Sequence, residues 1–351
     1  VASNDKDRNY KLMVSAAFRK MNYTVFQEVD LSTFSYQPKY QRKQVSDFDV
    51  MGLMVEPDFG VTTAVAECKS IEERAMEVLL KLKGLKEFFQ ADKAYLVQKR
   101  IDVNAREVAR DMGIWCLNEA NLAILLKGLD VKDDDVSVET EIYFQKQKIF
   151  KELKNEHQKA HEYLRYDFWT LPSYRNIINL LRHAQLLAEK VYPGVSNDVV
   201  LCHLIATNLA VSLCRLTLDV MRFDNSDIET GVRNRIHGGT RERRDREALF
   251  DAVAKMVPDS RLSLEPPFLP ALFELVARFI NASAPASNVV RCLDHLARER
   301  VLPAYTKVAG EPEQVYGNRT VKLAHDVFHF ISSESGIPID LFKPSLNLSA
   351  G

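Results

Sequence analysis

The chain has 351 residues, of which 46% are hydrophobic and 27% charged, with a formal net charge of −1. That composition is ordinary for a soluble globular chain of about two domains, each long enough to bury its own core. No apolar run is expected to reach the roughly 18–20 residues of a bilayer span, and no basic-then-apolar leader is read at Val1, so no membrane partner is expected. The five cysteines (Cys68, Cys116, Cys202, Cys214, Cys292) are scattered without a CxxC pair. This argues against a disulfide framework or zinc knuckle and makes the cytoplasm the expected location.

The opening "NYKLMVSAAFRKM" crowds Leu12, Val14, Ala16, Ala17 and Phe18 onto a short helix, and "YTVFQEVDL" alternates as a strand. Polar "STFSYQPKYQRKQVS" is expected as a loop. Two β-rich runs, "FDVMGLMV" and "VTTAVAEC", flank the Pro- and Gly-bearing turn "EPDFG" as a hairpin. A helix over "SIEERAMEVLLKLKGLKEFFQA", a strand at "KAYLVQK", a helix at "VNAREVARDMG" ending at Gly113, a strand at "IWCLN" and a helix at "EANLAILLKGL" follow. The order α-β-β-β-α-β-α-β-α predicts an α/β domain with a mixed sheet over residues 1–130. The acidic run "DVKDDDVSVETE" predicts a linker at 131–140, and seven apolar-periodic segments predict an all-α domain over 141–351. No fixed-period repeat supports a solenoid.

The hairpin carries the chemistry. If its turn is symmetric, positions summing to 116 face each other, which sets Asp49 opposite Glu67 on neighbouring strands. Facing Cβ atoms lie about 4.5–5.5 Å apart, and two like charges at that spacing destabilise a sheet unless a cation intervenes. Lys69, two residues after Glu67, shares its face, while Cys68 points into the core with Val65. Two carboxylates and an ammonium at one strand end suit a hard divalent cation with open positions and phosphoryl transfer. The bland alternative is a solvated strand end with a Glu–Lys surface pair.

The ordered set "YTVFQEVDL", "SDFDVMGL", "VAECKS" and "KAYLVQKRIDVNAREVARDMGIWCLN" resembles the PD-(D/E)xK nuclease superfamily, and within it Mrr-type restriction endonucleases and archaeal Holliday-junction resolvases. The resemblance covers residues 8–128. It implies a restriction-endonuclease-like sheet, with Asp49 and Glu67 as metal-binding acids, Lys69 as catalytic lysine and the main-chain carbonyl of Cys68 as a further ligand. Mg²⁺ is the implied cofactor, with Mn²⁺ a substitute, and DNA ahead of RNA the implied substrate. Many relatives carry a metal-binding glutamate on the first helix, where this chain has Lys11; Glu28 is the nearest candidate replacement. The leading Pro-Asp is replaced by Phe-Asp, and Asp47 competes with Asp49 for the first acid.

Six arginines fall within the fourteen residues "RNRIHGGTRERRDR". Arg233, Arg235, Arg241, Arg243 and Arg244 with His237 suit a phosphate-gripping loop, because guanidinium makes bidentate contacts to phosphate oxygens. An acid-paired helix start is the bland alternative. The stretch also resembles the "RN…HG" signature of HEPN-type helical ribonucleases, one residue short in spacing, which implies metal-independent RNA cleavage at His237. His157/His161 and His325/His329 lie four apart on helices but lack the HExxH glutamate. Aromatics in "EYLRYDFWTLPSY" are expected to pack against the first domain, with base stacking as the alternative. No P-loop, GxSxG or GxGxxG is present, so nucleotide hydrolysis and serine-hydrolase chemistry have no support. The expectation is a Mg²⁺-dependent endodeoxyribonuclease of restriction, defence or repair. Its helical region would bind nucleic acid, a second copy or a protein partner. The alternative is a non-catalytic interaction module on a nuclease-like platform.

Overall fold

The computed structural model describes residues 2–35, 41–70, 75–223, 227–256 and 264–342. The N-terminal elements follow the expected order: α1 (Ala2–Lys20), β1 (Thr24–Ser35), β2 (Gln41–Val55), β3 (Val61–Lys69), α2 (Ala75–Phe89), β4 (Lys93–Gln98), α3 (Val103–Asp111), β5 (Ile114–Leu117) and α4 (Glu119–Gly128). They build one five-stranded sheet in the order β1-β2-β3-β4-β5. The β1–β2–β3 pairs are antiparallel and the β3–β4–β5 pairs parallel, so the sheet is mixed. The β2–β3 register runs Val55↔Val61 to Val50↔Ala66, in which facing positions sum to 116. The 32–46 stretch is not a loop at its ends, because β1 and β2 stay paired from Ser32↔Gln44 out to Ser35↔Gln41. A register shift between Leu31 and Ser32 carries the ladder past the polar residues. Positions 36–40 of that stretch and 71–74 of the expected helix start lie outside the described residues.

One face of the sheet packs Val50, Ala64, Ala66, Cys68 and Val97 under Val14 and Phe18 of α1 and Leu122 of α4. Cys68 therefore lies with Ala64 and Ala66, and Val65 lies on the opposite face; residues an odd number apart cannot share a strand face. A Cβ on Gly52 would come within 2.9 Å of both the Phe18 and Tyr23 rings, so the glycine lets α1 seat directly on β2. The second face packs Met51, Leu53, Val65 and Leu96 against α2 and α3.

That second core runs without a break into the helical region. The helices are α5 (Asp133–Glu152), α6 (Asn155–Glu162), α7 (Ser173–Leu187), α8 (Ser196–Phe223), α9 (Ile228–Ile236), α10 (Thr240–Met256), α11 (Leu269–Asn281), α12 (Ser283–Ser287), α13 (Val289–Val301), α14 (Tyr305–Ala309), α15 (Pro312–Tyr316) and α16 (Asn318–Ser335). A π-helical turn, Tyr163–Asp167, follows α6. The acidic run is not a linker. Asp133, Asp134 and Asp135 form the first turn of α5, where carboxylates offset the positive end of the helix dipole, and Asp135 accepts from the Lys132 N–H at 2.8 Å. Glu139, 4% exposed, takes two hydrogen bonds from buried Arg298 and an ion pair from Arg19 at 2.8 Å, which ties α5 to α1 and α13.

The "EYLRYDFWTLPSY" aromatics pack as expected. Trp169 meets Phe26 of β1 edge-on at 4.7 Å, and Arg165 pairs with Asp30. Contrary to expectation, one helix among the described residues has the length and hydropathy of a bilayer span. It covers Ser196–Arg222 of α8, and 83% of its apolar window is buried inside the protein. All five cysteines are free.

Candidate active site where β2 and β3 part

Val50↔Ala66 is the last paired rung between β2 and β3, and the candidate residues lie just beyond it. The Asp49 side chain fills the gap where the ladder stops: its Oδ2 accepts from the Cys68 N–H at 2.7 Å. Asp47 pairs with Asp30 across β1–β2 instead, so Asp49 is the acid joined to the Glu67-Cys68-Lys69 triplet. Asp49 and Glu67 are 4% and 3% exposed. On Glu67, Oε1 receives Lys69 Nζ at 3.1 Å and Lys81 Nζ, from α2, at 3.5 Å. Its Oε2 is buried and among the described residues has no hydrogen-bond partner. A solvated surface pair does not leave an oxygen in that state, because an unmet buried acceptor costs roughly 1–3 kcal/mol. Burial, then the Asp49 charge, pushes the Glu67 carboxyl above its ordinary range despite Lys69 and Lys81.

Helix α1 contributes two residues. Asp7 accepts from the Ser70 N–H, pinning the end of β3. Lys11 reaches Asp49 Oδ1 at 2.7 Å and Glu28 at 3.8 Å. Burial works against the Lys11 charge, but Asp49 and then Glu28 outweigh it and hold its pKa above the ordinary lysine range. The α1 position that faces Asp49 thus holds a cation that neutralises this carboxylate. Glu28 sits at φ 53°, a conformation uncommon for a non-glycine residue, between the Gln27↔Val50 and Val29↔Phe48 rungs. Its carboxylate accepts from Tyr143 Oη of α5 at 3.0 Å. The sequence signalled Glu28 and the odd placement of Lys11. Asp7, Lys81 and Tyr143 carried no signal, since nothing local says which helix face lies over a given strand end.

The donor set fits a hard divalent ion. Asp49, Glu67 and the Cys68 carbonyl offer oxygen ligands only, and Mg²⁺ uses one or two carboxylates with water and substrate oxygens completing its shell. The orphaned Glu67 Oε2 is the atom that such an ion would satisfy. Among the described residues no group of three or more His, Cys, Asp or Glu side chains gathers as a metal cluster, at this site or away from it, so an ion here would rest on two carboxylates with main-chain and water oxygens. His157 pairs with Asp198 at 3.0 Å while His161 stacks on Phe150, so those two point to different partners.

The arginine-rich stretch spans the end of α9, a turn at Gly238 and Gly239, and the start of α10. Arg233 pairs with Glu265 at 2.5 Å and lies over Phe273. Arg243 bonds Glu247 at 2.7 Å and Asn234 at 3.2 Å. Arg235 interacts with the half-buried Asp219 carboxyl. Arg241 and Arg244 are exposed on α10. His237 is 3% exposed, and neither ring nitrogen has a partner among the described residues. Burial, then Arg246 and Arg243, lowers its pKa. Arg233 at the end of α9 and Arg243 at the start of α10 are thus acid-paired, with Arg241 and Arg244 left facing solvent. No family model matches this chain, and no curated protein or solved structure matches it.

Proposed function

We propose that this protein is a divalent-metal-dependent phosphodiester hydrolase acting on DNA, with its centre where β2 and β3 part. One observation carries the proposal: two buried carboxylates where the β2–β3 ladder stops, one with an unmet oxygen, beside an ammonium at 3.1 Å. Asp49, Glu67 and the Cys68 carbonyl would hold Mg²⁺, with Mn²⁺ as substitute. When bound, the ion supplies positive charge at the phosphodiester oxygen in the transition state. The Cys68 N–H keeps Asp49 oriented toward β3. Lys69 donates to the attacking water or the developing charge, and Lys81, half-exposed beside Glu67, attracts the phosphate. Arg241 and Arg244 offer backbone contacts at a distance.

The test is cleavage of supercoiled plasmid, linear duplex, single-stranded DNA and RNA with Mg²⁺, Mn²⁺ or EDTA, comparing wild type with Lys69→Ala. Metal-dependent DNA cutting lost in the variant is the expected result. No cutting of DNA by folded wild type under any condition refutes it, and EDTA-resistant RNA cutting transfers the activity to His237. The Lys11–Asp49 pair favours a second reading, a non-catalytic platform in which an internal ammonium stands permanently where an ion would bind. On that reading Asp49→Ala leaves function intact and Arg241→Ala/Arg244→Ala removes it.

A further inference from the structure

Between β1, α5, α6, α8 and α13 lies a cavity of about 160 Å³. Its walls are largely apolar, with Phe26, Ile142, Phe150, Leu164 and Trp169 among them. At one end is a charge cluster. Arg19 pairs with Glu139 at 2.8 Å and Asp294 at 2.5 Å, and Arg298 bonds both oxygens of Glu139. Those four charges balance. Lys146 adds a third cation, and among the described residues it makes no hydrogen bond or ion pair. Lys146 is half-buried beside this cluster, and desolvation draws its pKa down to about 8 despite Asp294. At the other side Asn208, 3% exposed, gives its NH₂ to the Leu204 carbonyl at 2.9 Å, and its buried Oδ1 has no partner among the described residues. His161 stacks on Phe150 and burial lowers its pKa to about 4, so the ring is neutral and adds no charge.

A buried surplus charge is costly unless a counter-charge meets it, and an unmet amide oxygen adds to that cost. Lys146 and Asn208 both line the same cavity. We propose that this cavity is a binding site for a small organic monoanion: a ring-sized apolar body, a carboxylate on Lys146 and a hydroxyl or amide donor on Asn208 Oδ1. The volume supports a body of that size, since an apolar cavity of about 150 Å³ accommodates benzene. Arg19 and Arg298 are balanced by Glu139 and Asp294, and Arg165 is paired with Asp30, which leaves Lys146 to recognise the charge, while the Glu28 carboxylate in the same wall disfavours a dianion. Glu28 forms part of the wall, so an occupant lies one side chain from the Lys11–Asp49 pair. The proposal stands on the cavity alone and does not require hydrolase activity.

The experiment is calorimetric titration of the full chain at pH 7 with three probes: 4-hydroxybenzoate, benzoate and 4-hydroxybenzamide. Wild type is expected to bind 4-hydroxybenzoate most tightly. Lys146→Met weakens it about tenfold or more, the scale of one charge-assisted hydrogen bond, and changes 4-hydroxybenzamide binding by under about twofold. Asn208→Leu erases the preference for 4-hydroxybenzoate over benzoate. Equal binding of the acid and the amide by wild type, no binding of any probe, or undiminished acid binding by Lys146→Met overturns the assignment. If Lys146→Met does not fold, Lys146→Gln takes its place with the same expected loss.

Discussion

Lys11→Met removes the one cation that, among the described residues, is bonded to Asp49, and separates structural from metal-binding roles at this site. At 2.7 Å and an effective dielectric of about 20, the Lys11–Asp49 attraction is roughly 6 kcal/mol gross. Desolvation of both groups and the partial exposure of Lys11 offset more than half of that. Asp49 also keeps its Cys68 N–H bond, so the expected net loss is about 2–3 kcal/mol, read as a lower urea midpoint. The pH dependence has a defined sign. The folded pKa of Lys11 is raised, so its contribution is fully present below 10.5 and disappears as pH rises through the folded value. Metal supplies the discriminating arm. With Lys11 gone, Glu28 and Asp49 lack their shared cation, and Mg²⁺ would take that place. At about 100 times its Kd, the ion restores about 2.7 kcal/mol, which returns the variant close to wild type. A variant no less stable than wild type at pH 7 refutes the electrostatic account of Asp49. A destabilised variant that Mg²⁺ does not rescue refutes the metal site.

Glu67→Gln follows the same logic with opposite sign. Its carboxyl is raised above 4.5 mainly by burial, so ionisation penalises the fold as pH climbs from 4.5 through the folded pKa. Without metal the variant should be more stable than wild type at pH 7 and equal to it below about pH 4.5; equal melting at both pH values contradicts the burial argument. Glu139→Ala strands Arg298, which is 1% exposed, and Arg19, and should cost about 3–5 kcal/mol in denaturant titration. A loss under about 1 kcal/mol would mean that the charge cluster is solvated. Arg241→Ala with Arg244→Ala should weaken DNA binding uniformly across sequences and reduce the salt slope by about 2, while leaving the melting temperature unchanged. An unaltered salt slope removes α10 from the nucleic-acid surface.

The sequence alone determined the local elements and the hairpin register. Period-2 runs around a symmetric Pro- and Gly-bearing turn leave one favourable pairing, because a one-residue slip turns the apolar set outward. That pairing set Asp49 across from Glu67, and the ladder runs in that register up to the adjoining rung, Val50↔Ala66. The same local logic failed at 131–140. A run of acids is compatible with either a solvated linker or a helix start, and only the distant Arg19 and Arg298 decide that Glu139 belongs in the core. Tertiary structure alone decided which helix covers the strand ends, and hence that Lys11 meets Asp49 and Lys81 meets Glu67. It alone gathered Lys146 and Asn208, 62 positions apart, around one cavity. The physical reason is the range of the forces. Backbone preference and strand alternation act over a few residues and are written in the local pattern. The charge of a buried group is settled by whatever the fold packs beside it, and that neighbour can lie anywhere in the chain.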